Sequence, residues 1–343
     1  MKKLLVIIGG GFAGANISKN LENYFDTTLI DEKNYFEFTP GILRSIIYPE
    51  HLKRININHN SYLKKSKVVK GRVVRLNNKS IFLENKKEIK YDYLVICSGS
   101  RYESPVKDRD IVIASRGKNL MKYHNSLSKA KNVLIIGGGL VGVELAGEIL
   151  SRYNNKTIKI IHSKERIIQR NNIQSVLYAE KFLMKNNVAV TLNETAVKNE
   201  NSVITTNKNN HFNYDMAFFC TGIKPNSDFV GRNKLDANGF IKVDKSLRMK
   251  EKNNIFVCGD VASINEEKTA QAAEKHSNIV INNLIATEKR KRLKEYISKK
   301  RPFSISLGLY DGIFEYNNFI ITGIVAAFIK KFIEIKIMIR YKL

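Results

Sequence analysis

Residues 133–148 read VLIIGGGLVGVELAGE, and they repeat a pattern found near the amino terminus, where residues 4–15 read LLVIIGGGFAGA. Each copy is an apolar run followed by G-x-G-x-x-G and an alanine-rich helix start, the strand-turn-helix context in which this motif binds a dinucleotide. Because two copies occur in the same context, the sequence predicts two dinucleotide sites in one chain.

The glycines have a physical purpose in such turns. They let the chain reverse tightly and let backbone amides approach a pyrophosphate at the positive end of a helix, where a Cβ would block the phosphate. The alternative is a structural glycine-rich turn without a ligand. The expected phosphate contacts are Gly9, Gly11, Phe12, Ala13 and Gly14 in the first copy and Gly137, Gly139, Leu140, Val141 and Gly142 in the second.

An acidic pair follows the first copy at the distance expected for a ribose ligand. We predict a helix over 12–24 and a strand over 27–30, which ends at Asp31 and Glu32. An acid at this strand end accepts hydrogen bonds from an adenosine ribose. Asp31, or Glu32 beside it, is therefore the expected ribose ligand, and a solvated turn acid is the alternative.

A second repeated phrase closes each unit. Residues 91–99 read YDYLVICSG and residues 214–222 read YDMAFFCTG, so each unit ends in an apolar strand followed by Cys-Ser-Gly or Cys-Thr-Gly. These ends add Ser98, Gly99, Thr221 and Gly222 to the candidate cofactor contacts. The simplest topology inserts the second unit into the first, with predicted domains 1–112 plus 225–290, 113–224, and a basic and amphipathic segment 291–343.

The remaining elements follow from periodicity and turn residues. We predict an antiparallel meander over 68–93, strands over 157–161, 188–192 and 254–258, and helices over 175–185 and 270–285. Pro40 and Gly41 interrupt the stretch 35–44, which predicts a loop that lines a site. Residues 289–301 carry eight Lys or Arg against one Glu, as a charged linker or a solvated helix would.

Composition describes an ordered globular protein with an extreme charge. The 343 residues are 43% hydrophobic, with a formal net charge of +26, which favours anionic partners unless it is compositional drift. Cys97, Cys220 and Cys258 stand singly without C-x-x-C, so we expect no disulfide framework and no metal site. A reducing intracellular compartment fits best.

The motifs together resemble the flavoproteins with two dinucleotide-binding domains, over about residues 1–285. Besides the two glycine turns, Thr221-Gly222 precedes residues 223–226 (IKPN), and Gly259-Asp260 follows a late strand. The resemblance implies an α/β fold with two Rossmann-like domains, FAD in the first and NADH or NADPH in the second. It also implies that Asp260 holds the flavin ribitol beside Gly259, and that Pro40 lies near the flavin.

Two features indicate the branch of this family: the sequence has no closely spaced cysteine pair, and it keeps part of a quinone motif. Dithiol and sulfide:quinone branches need paired cysteines, whereas each cysteine here ends an apolar strand, typical of small-residue core packing. The chain is more similar to type II NADH:quinone oxidoreductases and especially to the ferroptosis-suppressor branch, through His162-Ser163, residues 268–276 and residues 306–312. The quinone motif A-Q-x-A-x-Q is only partly kept, because Lys275 replaces its second Gln.

The resemblance also suggests which side chains serve the reaction. In such enzymes a nicotinamide gives a hydride to flavin N5, and two electrons then pass to a quinone; the cofactor carries the chemistry. Glu144 matches an acid near the nicotinamide, with a carboxylate that merely favours the helix dipole as the alternative. Gln271 and Lys275 are the other candidate catalytic residues.

The donor is expected to be either NADH or NADPH. His162 stands at the strand end where a protein specific for NAD places an acid, and Lys164 and Arg166 follow closely. The missing repulsion and the nearby cations should admit a 2′-phosphate.

The carboxyl terminus suggests contact with a membrane. The apolar stretch from Phe319 to Ile329 is interrupted by Lys330 and Lys331, short of the roughly 20 residues that span a bilayer. A helix over this region would share one face among Ile320, Ile324, Phe328, Phe332, Ile335 and Ile339, and such a face can lie on a membrane surface. A core helix, a dimer interface or strands are the alternatives.

The predicted function is an FAD-dependent NAD(P)H:quinone oxidoreductase, peripheral on the cytoplasmic face of a membrane through residues 319–343, as a monomer or a homodimer. One alternative is a soluble NAD(P)H reductase of a rubredoxin- or ferredoxin-like carrier. Another is a flavoprotein similar to apoptosis-inducing factor that binds nucleic acid, which the intact second turn disfavours; no specific nucleic acid is expected.

Overall fold

A computed structural model describes residues 1–101 and 120–342 of the chain. The helices are α1 Phe12–Leu21, α2 Ile42–Ile47, α3 Leu52–Ile55, α4 His59–Tyr62, α5 Leu120–Lys129, α6 Leu140–Leu150, α7 Ile173–Lys185, α8 Ala270–Glu288 and α9 Ile324–Lys342. The first strands are β1 Leu4–Ile8, β2 Asp26–Asp31, β3 Tyr35–Glu37, β4 Asn56–Asn58, β5 Lys67–Lys70, β6 Val73–Leu76, β7 Ser80–Leu83, β8 Glu88–Lys90, β9 Tyr93–Ile96 and β10 Ser100–Arg101.

The later strands are β11 Asn132–Ile136, β12 Thr157–Ile161, β13 Ala189–Thr191, β14 Ala196–Glu200, β15 Val203–Thr206, β16 His211–Asn213, β17 Met216–Phe219, β18 Lys224–Pro225, β19 Ile241–Lys242, β20 Ile255–Val257, β21 Ala262–Ser263, β22 Phe303–Ser306, β23 Gly312–Tyr316 and β24 Phe319–Thr322.

Two parallel sheets carry the repeated motifs and confirm the predicted α/β class. The first has the order β20-β9-β1-β2-β5 and the second β13-β12-β11-β17. Both apolar runs of the repeat are central strands, buried in four of five residues each, as strands covered on both faces should be. β20 follows the second sheet in the chain but pairs with β9 of the first. The predicted boundary at 112–113 lies outside the described residues.

Several predicted elements are correct in kind but not in extent. Helix α1 ends at Leu21 instead of Tyr24. The meander holds for β6, β7 and β8, but residues 68 and 69 belong to β5, which pairs in parallel with β2. The charged segment after α8 forms no regular helix or strand before Phe303.

Two stretches differ from prediction. Residues 35–44 are not a loop: they hold β3, a 3-10 turn and the start of α2, because the apolar residues flanking Pro40 and Gly41 are drawn into the core. Residues 319–322 form strand β24 instead of a helix, since they pair with β23 in the sheet β22-β23-β24. The helix therefore starts at Ile324 and excludes Ile320.

Helix α9 contacts the first unit through its last turn and through Glu334, whose carboxylate lies 3.3 Å from Nε2 of His51. Tyr341 is 2% exposed, and its ring lies 4.4 Å from that of Phe36 and 5.0 Å from that of Tyr62, centroid to centroid. Arg340 forms an ion pair with Glu274 of α8. The carboxyl-terminal helix is thus held against the body of the molecule from both sides of its last turn.

Replacing Tyr341 with Ala tests this docking. Removing a buried aromatic ring of this size costs about 3 to 5 kcal/mol, so the amides of α9 should exchange with deuterium much faster than in the native protein. Ile339→Ala is the matched control: Ile339 is 46% exposed, and a change there should stay within about 0.5 kcal/mol. Equal exchange in the two variants would contradict the docking.

Candidate functional site

The two glycine turns have almost the same geometry. Gly9 and Gly137 have φ of +97° and +114°, a region that favours glycine. A Cβ on Gly14 would lie 1.8 Å from the carbonyl oxygen of Gly9, and a Cβ on Gly142 would lie 1.9 Å from that of Gly137. The first and third glycines of each motif are therefore required for the helix to pack on its strand.

The middle glycines do something different. A Cβ on Gly11 or on Gly139 would have no protein atom within 4 Å, so these positions face open space in front of the helix. Both residues are N-caps without a side-chain hydrogen bond to the helix, and the first amides of α1 and α6 point into that space. This arrangement fits a pyrophosphate at each helix start. Phe12, Ala13, Leu140 and Val141 form the first turns behind it.

Asp31 lies at the end of β2 as predicted, and its carboxylate already has partners. Its Oδ2 accepts a hydrogen bond from the amide of Gly10 at 3.1 Å and lies 3.2 Å from Nε2 of His59. His59 is fully buried, and its Nδ1 lies 2.6 Å from the Tyr62 hydroxyl. Glu32 is the more exposed acid, with 37% of its side chain accessible.

The ends of β9 and β20 form one wall of the first nucleotide site, the open space in front of α1. Gly99 has φ of +69°, and a Cβ there would again enter open space. Ser98 donates from its hydroxyl to the carbonyl of Asn226 at 2.6 Å, while Ser100 donates to Asp260 at 2.8 Å. Burial raises the pKa of Asp260, an effect that the Ser100 hydrogen bond and the nearby Lys268 oppose.

The Gly259-Asp260 turn is held from behind by His276. Gly259 donates its amide hydrogen to Nδ1 of His276 at 3.1 Å, so Nε2 carries the ring proton and lies 2.7 Å from a carboxylate oxygen of Glu266. Burial opposes ionisation of Glu266, but His276, Ser298, Tyr296 and Arg301 hold its pKa far below the usual value. These contacts hold the turn, and with it Asp260, in position.

The second unit has the matching wall. Thr221 is partly exposed, and Gly222 has φ of +56° with no atom within 4 Å of its ideal Cβ. His162 packs beneath the turn, and a Cβ on Gly138 would lie 3.0 Å from Cγ of His162. Burial lowers the pKa of His162. Lys164 is exposed, but the guanidinium of Arg166 is bound by Glu180 at 2.6 Å. Within residues 1–101 and 120–342, Lys164 forms no ion pair.

Glu144 lies in the first part of α6, where it meets the carboxyl-terminal helix. Its Oε1 forms an ion pair with Nζ of Lys330 and accepts a hydrogen bond from the amide of Ser306 at 3.0 Å. The two charged side chains are 14% and 17% exposed. A carboxylate and an ammonium are thus paired where α6, β22 and α9 converge.

One helical turn further along, Glu148 binds Arg44 of α2. Nε and Nη2 of Arg44 lie 3.0 and 2.7 Å from the two carboxylate oxygens, and the hydroxyl of Ser306 donates to Glu148 at 2.7 Å. Pro40 lines the cavity beside this pair, which Lys330 and Glu334 close from α9. Pro40 therefore lies beside a charged cluster, which consists of Arg44, Glu144, Glu148 and Lys330.

The other two candidate catalytic residues are not brought to Glu144. Gln271 donates to the carbonyl of Pro302 at 3.0 Å, and Lys275 is exposed on α8. Within residues 1–101 and 120–342, no hydrogen bond or ion pair joins either of them to Glu144. The same residues contain no cluster of His, Cys, Asp and Glu suited to a metal ion.

Sequence reasoning missed Arg44, Glu148, Ser306 and Lys330. One signal was available, because Glu144 and Glu148 are four residues apart and a helix places both carboxylates on one face. Two like charges in this arrangement repel each other, so nearby cations were to be expected. Lys330 was noted only as an interruption of an apolar run. Its partner, 186 residues away, has no local signature.

Comparison with known proteins agrees with this geometry. The chain is 32% identical to apoptosis-inducing factor homolog A of Dictyostelium discoideum, over 92% of this chain and 86% of that protein. It is 29% identical to ferroptosis suppressor protein 1 of Taeniopygia guttata, over 92% and 89%. The fold is similar to that of NDH2 from Plasmodium falciparum solved with NADH, with a TM-score of 0.86 and 16% identity over 98% and 95% of the two chains.

Residues 3–277 match the model of a family of flavoproteins that bind FAD and NAD(P)H. Both glycine turns, Asp31, Glu144 and Asp260 lie within this matched range. The chain belongs to the pyridine nucleotide-disulphide oxidoreductase family.

Proposed function

We propose that this protein is an NAD(P)H:quinone oxidoreductase that uses FAD and works at a membrane surface. The observation that carries the proposal is the double role of α9. Its Lys330 binds Glu144 beside the second nucleotide turn, while its opposite face exposes a row of large apolar side chains. A lipid-soluble acceptor could therefore reach the molecule where the donor site is built. The likeness to ferroptosis suppressor protein 1 and to NDH2 supports this function.

The chain's own residues have binding and orienting tasks. FAD, when bound, accepts a hydride from the nicotinamide and delivers two electrons to the acceptor. We assign one pyrophosphate to the turn of Gly9, Gly11 and Gly14 and the other to that of Gly137, Gly139 and Gly142. Asp31 or Glu32 would bind the adenosine ribose, and Asp260 would hold the ribitol.

The pair of Glu144 and Lys330 supports the electrostatic part of the reaction. Lys330 fixes the Glu144 carboxylate at the start of α6, close to the helix end that receives the nicotinamide nucleotide. A quinone takes up two protons with its two electrons, whereas a hydride supplies one. Partly buried ionisable groups next to such a site can supply the other, and we propose the pair of Glu144 and Lys330 for this role.

Donor choice follows from the end of β12. His162 brings no carboxylate to repel a 2′-phosphate, and Lys164 is exposed two residues on. Because Glu180 engages Arg166, Lys164 is the one of these two cations that can meet the phosphate. We therefore propose that both NADH and NADPH are used and that NADPH has only a modest electrostatic advantage.

The membrane contact is proposed from the exposed face of α9. Ile324, Phe328, Phe332, Ile335 and Ile339 are 45 to 66% exposed, although a soluble helix normally turns such residues inward. Lys331, Lys336 and Lys342 flank or interrupt this apolar face and are exposed. Among the described helices, none has the length and apolar character to cross a bilayer, so contact would be with one surface.

The middle glycines separate binding from folding. Gly11→Ala and Gly139→Ala add a methyl group to open space at ordinary φ angles, so both variants should fold and, compared without cofactor, should match the thermal stability of the native apoprotein. Gly11→Ala should lose FAD on purification, and Gly139→Ala should keep FAD but bind NADH about tenfold or more weakly, since phosphate contacts are lost. Flavin absorbance and nucleotide titration measure these effects.

Gly142→Ala is the contrasting control, because its methyl group would overlap the carbonyl of Gly137. It should be destabilised even without a nucleotide. If Gly139→Ala binds NADH as tightly as the native protein does, the second turn does not hold the donor.

Anaerobic mixing tests the proposed reaction. The purified yellow protein is mixed separately with NADH and NADPH, and a short-chain quinone is then added. Both nucleotides should bleach the flavin absorbance and the quinone should restore it. No bleaching by either nucleotide refutes the enzyme, whereas bleaching without reoxidation by quinone favours the reductase of an acidic carrier protein. A preference for NADH of more than about a hundredfold would refute dual donor use.

Flotation with anionic phospholipid vesicles tests the membrane face. Phe328→Ser combined with Phe332→Ser should abolish flotation and leave the fold intact, since the two side chains are 60% and 66% exposed and each could contribute about 1.5–3 kcal/mol on full burial. Met184→Ser, on the outer face of α7 and 73% exposed, is the matched control and should float normally. Flotation of the double variant at the native level would refute the assignment.

A further inference from the structure

Two of the three cysteines are brought into contact by strand order. Val257 of β20 is in register with Ile96 of β9, so Cys258 and Cys97, the next residue of each strand, stand side by side. Their sulfur atoms are 3.1 Å apart although 161 residues separate them in sequence. Neither forms a disulfide in the structure.

The third cysteine shows that the contact comes from the topology. Cys220 follows β17 in the second unit, the position that Cys97 has after β9 in the first. In the second sheet β17 is an edge strand, whereas in the first sheet β20 lies beyond β9. The repeat therefore supplies a matched cysteine with no second sulfur beside it.

The backbone spacing suits a covalent bond between the pair. Adjacent strands lie about 4.8 Å apart, and disulfides join Cα atoms separated by about 4.4–6.8 Å. The sulfurs need to approach by only about 1 Å to reach the bond length of about 2.05 Å. A small rotation about the Cα–Cβ bond of each cysteine supplies such a shift without moving the strands.

The two sulfurs differ in access. Cys97 is 7% exposed and Cys258 is fully buried. Cys97 is therefore the member that a small oxidant meets first, and Cys258 is placed to attack it from behind. Burial, together with the hydrogen bond to Cys258, raises the pKa of Cys97, so its thiolate is scarce and the reaction should be slow.

We propose that Cys97 and Cys258 are a modification site at which a small peroxide forms an intrachain disulfide. The Cys97 thiolate attacks one peroxide oxygen, the O–O bond breaks, and the released hydroxide takes a proton to give water. The sulfur of Cys258 then attacks the sulfenic acid of Cys97, the S–O bond breaks, and a second water leaves. The dithiol loses two electrons, and hydrogen peroxide is reduced to two waters.

The location gives this bond a consequence for the first nucleotide site. The carbonyl of Cys97 lies 2.3 Å from where a Cβ on Gly9 would stand, and Cys258 directly precedes Gly259 and Asp260. A disulfide would tie the strand ends that carry Ser98, Gly99 and Asp260. Oxidation would thereby act on the walls of the first nucleotide site without involving Glu144.

The test exposes the full-length protein to excess hydrogen peroxide for a long incubation, and alkylation under denaturing conditions then counts the remaining thiols. The expected result is a fall from three free cysteines to one, with the peptides of Cys97 and Cys258 joined and lighter by two hydrogen atoms. Three free thiols, a bond that includes Cys220, or oxygen on Cys97 beside a free Cys258 would overturn the proposal.

Variants and a second reagent keep the test decisive. Cys220→Ala is the matched control and should give the same joined peptides, whereas Cys97→Ala and Cys258→Ala should give none. Should either of these variants fail to fold, phenylarsine oxide, which needs two neighbouring thiols, replaces them as the probe of the native protein. It should protect two cysteines from alkylation, and protection of none or of Cys220 would also refute the pair.

Discussion

The close approach of each nucleotide-binding helix to its strand is the contact on which the other features depend. Gly14 sits on the carbonyl of Gly9 and Gly142 on that of Gly137, with no room for a side chain. This contact aims the free amides of α1 and α6 at the open space beside Gly11 and Gly139. It also sets where the following turns of α6 lie, and hence where Glu144 meets Lys330. Phosphate binding and the charged cluster are thus consequences of the same packing.

Helix α9 unites features that the sequence shows as separate. A row of its large apolar residues faces outward, its Lys330 reaches Glu144, and its last turn is fixed by Tyr341. The apolar row and Lys330 both depend on the docking of the last turn, because a loosely attached helix could not position a cation.

What the sequence could predict was local. The glycine turns, the acid at the end of β2 and the strands before Ser98 and Thr221 each depend on a few neighbouring residues, and the structure places them as expected. The contacts that could not be predicted join distant residues: Lys330 with Glu144, and Cys97 with Cys258. Periodicity carries no information on which strand or helix becomes a neighbour. Strand β24 was expected only as an alternative to a helix for the same reason, since its apolar residues suit a helix until β23 pairs with them.

The ion pair of Arg44 and Glu148 sets a limit on motion. Arg44 belongs to α2 of the first unit and Glu148 to α6 of the second, and Glu148 is 3% exposed. Separating the pair while the carboxylate stays buried would cost about 3 to 5 kcal/mol. The ion pair therefore resists rotation of one unit against the other and favours a fixed distance between the two glycine turns.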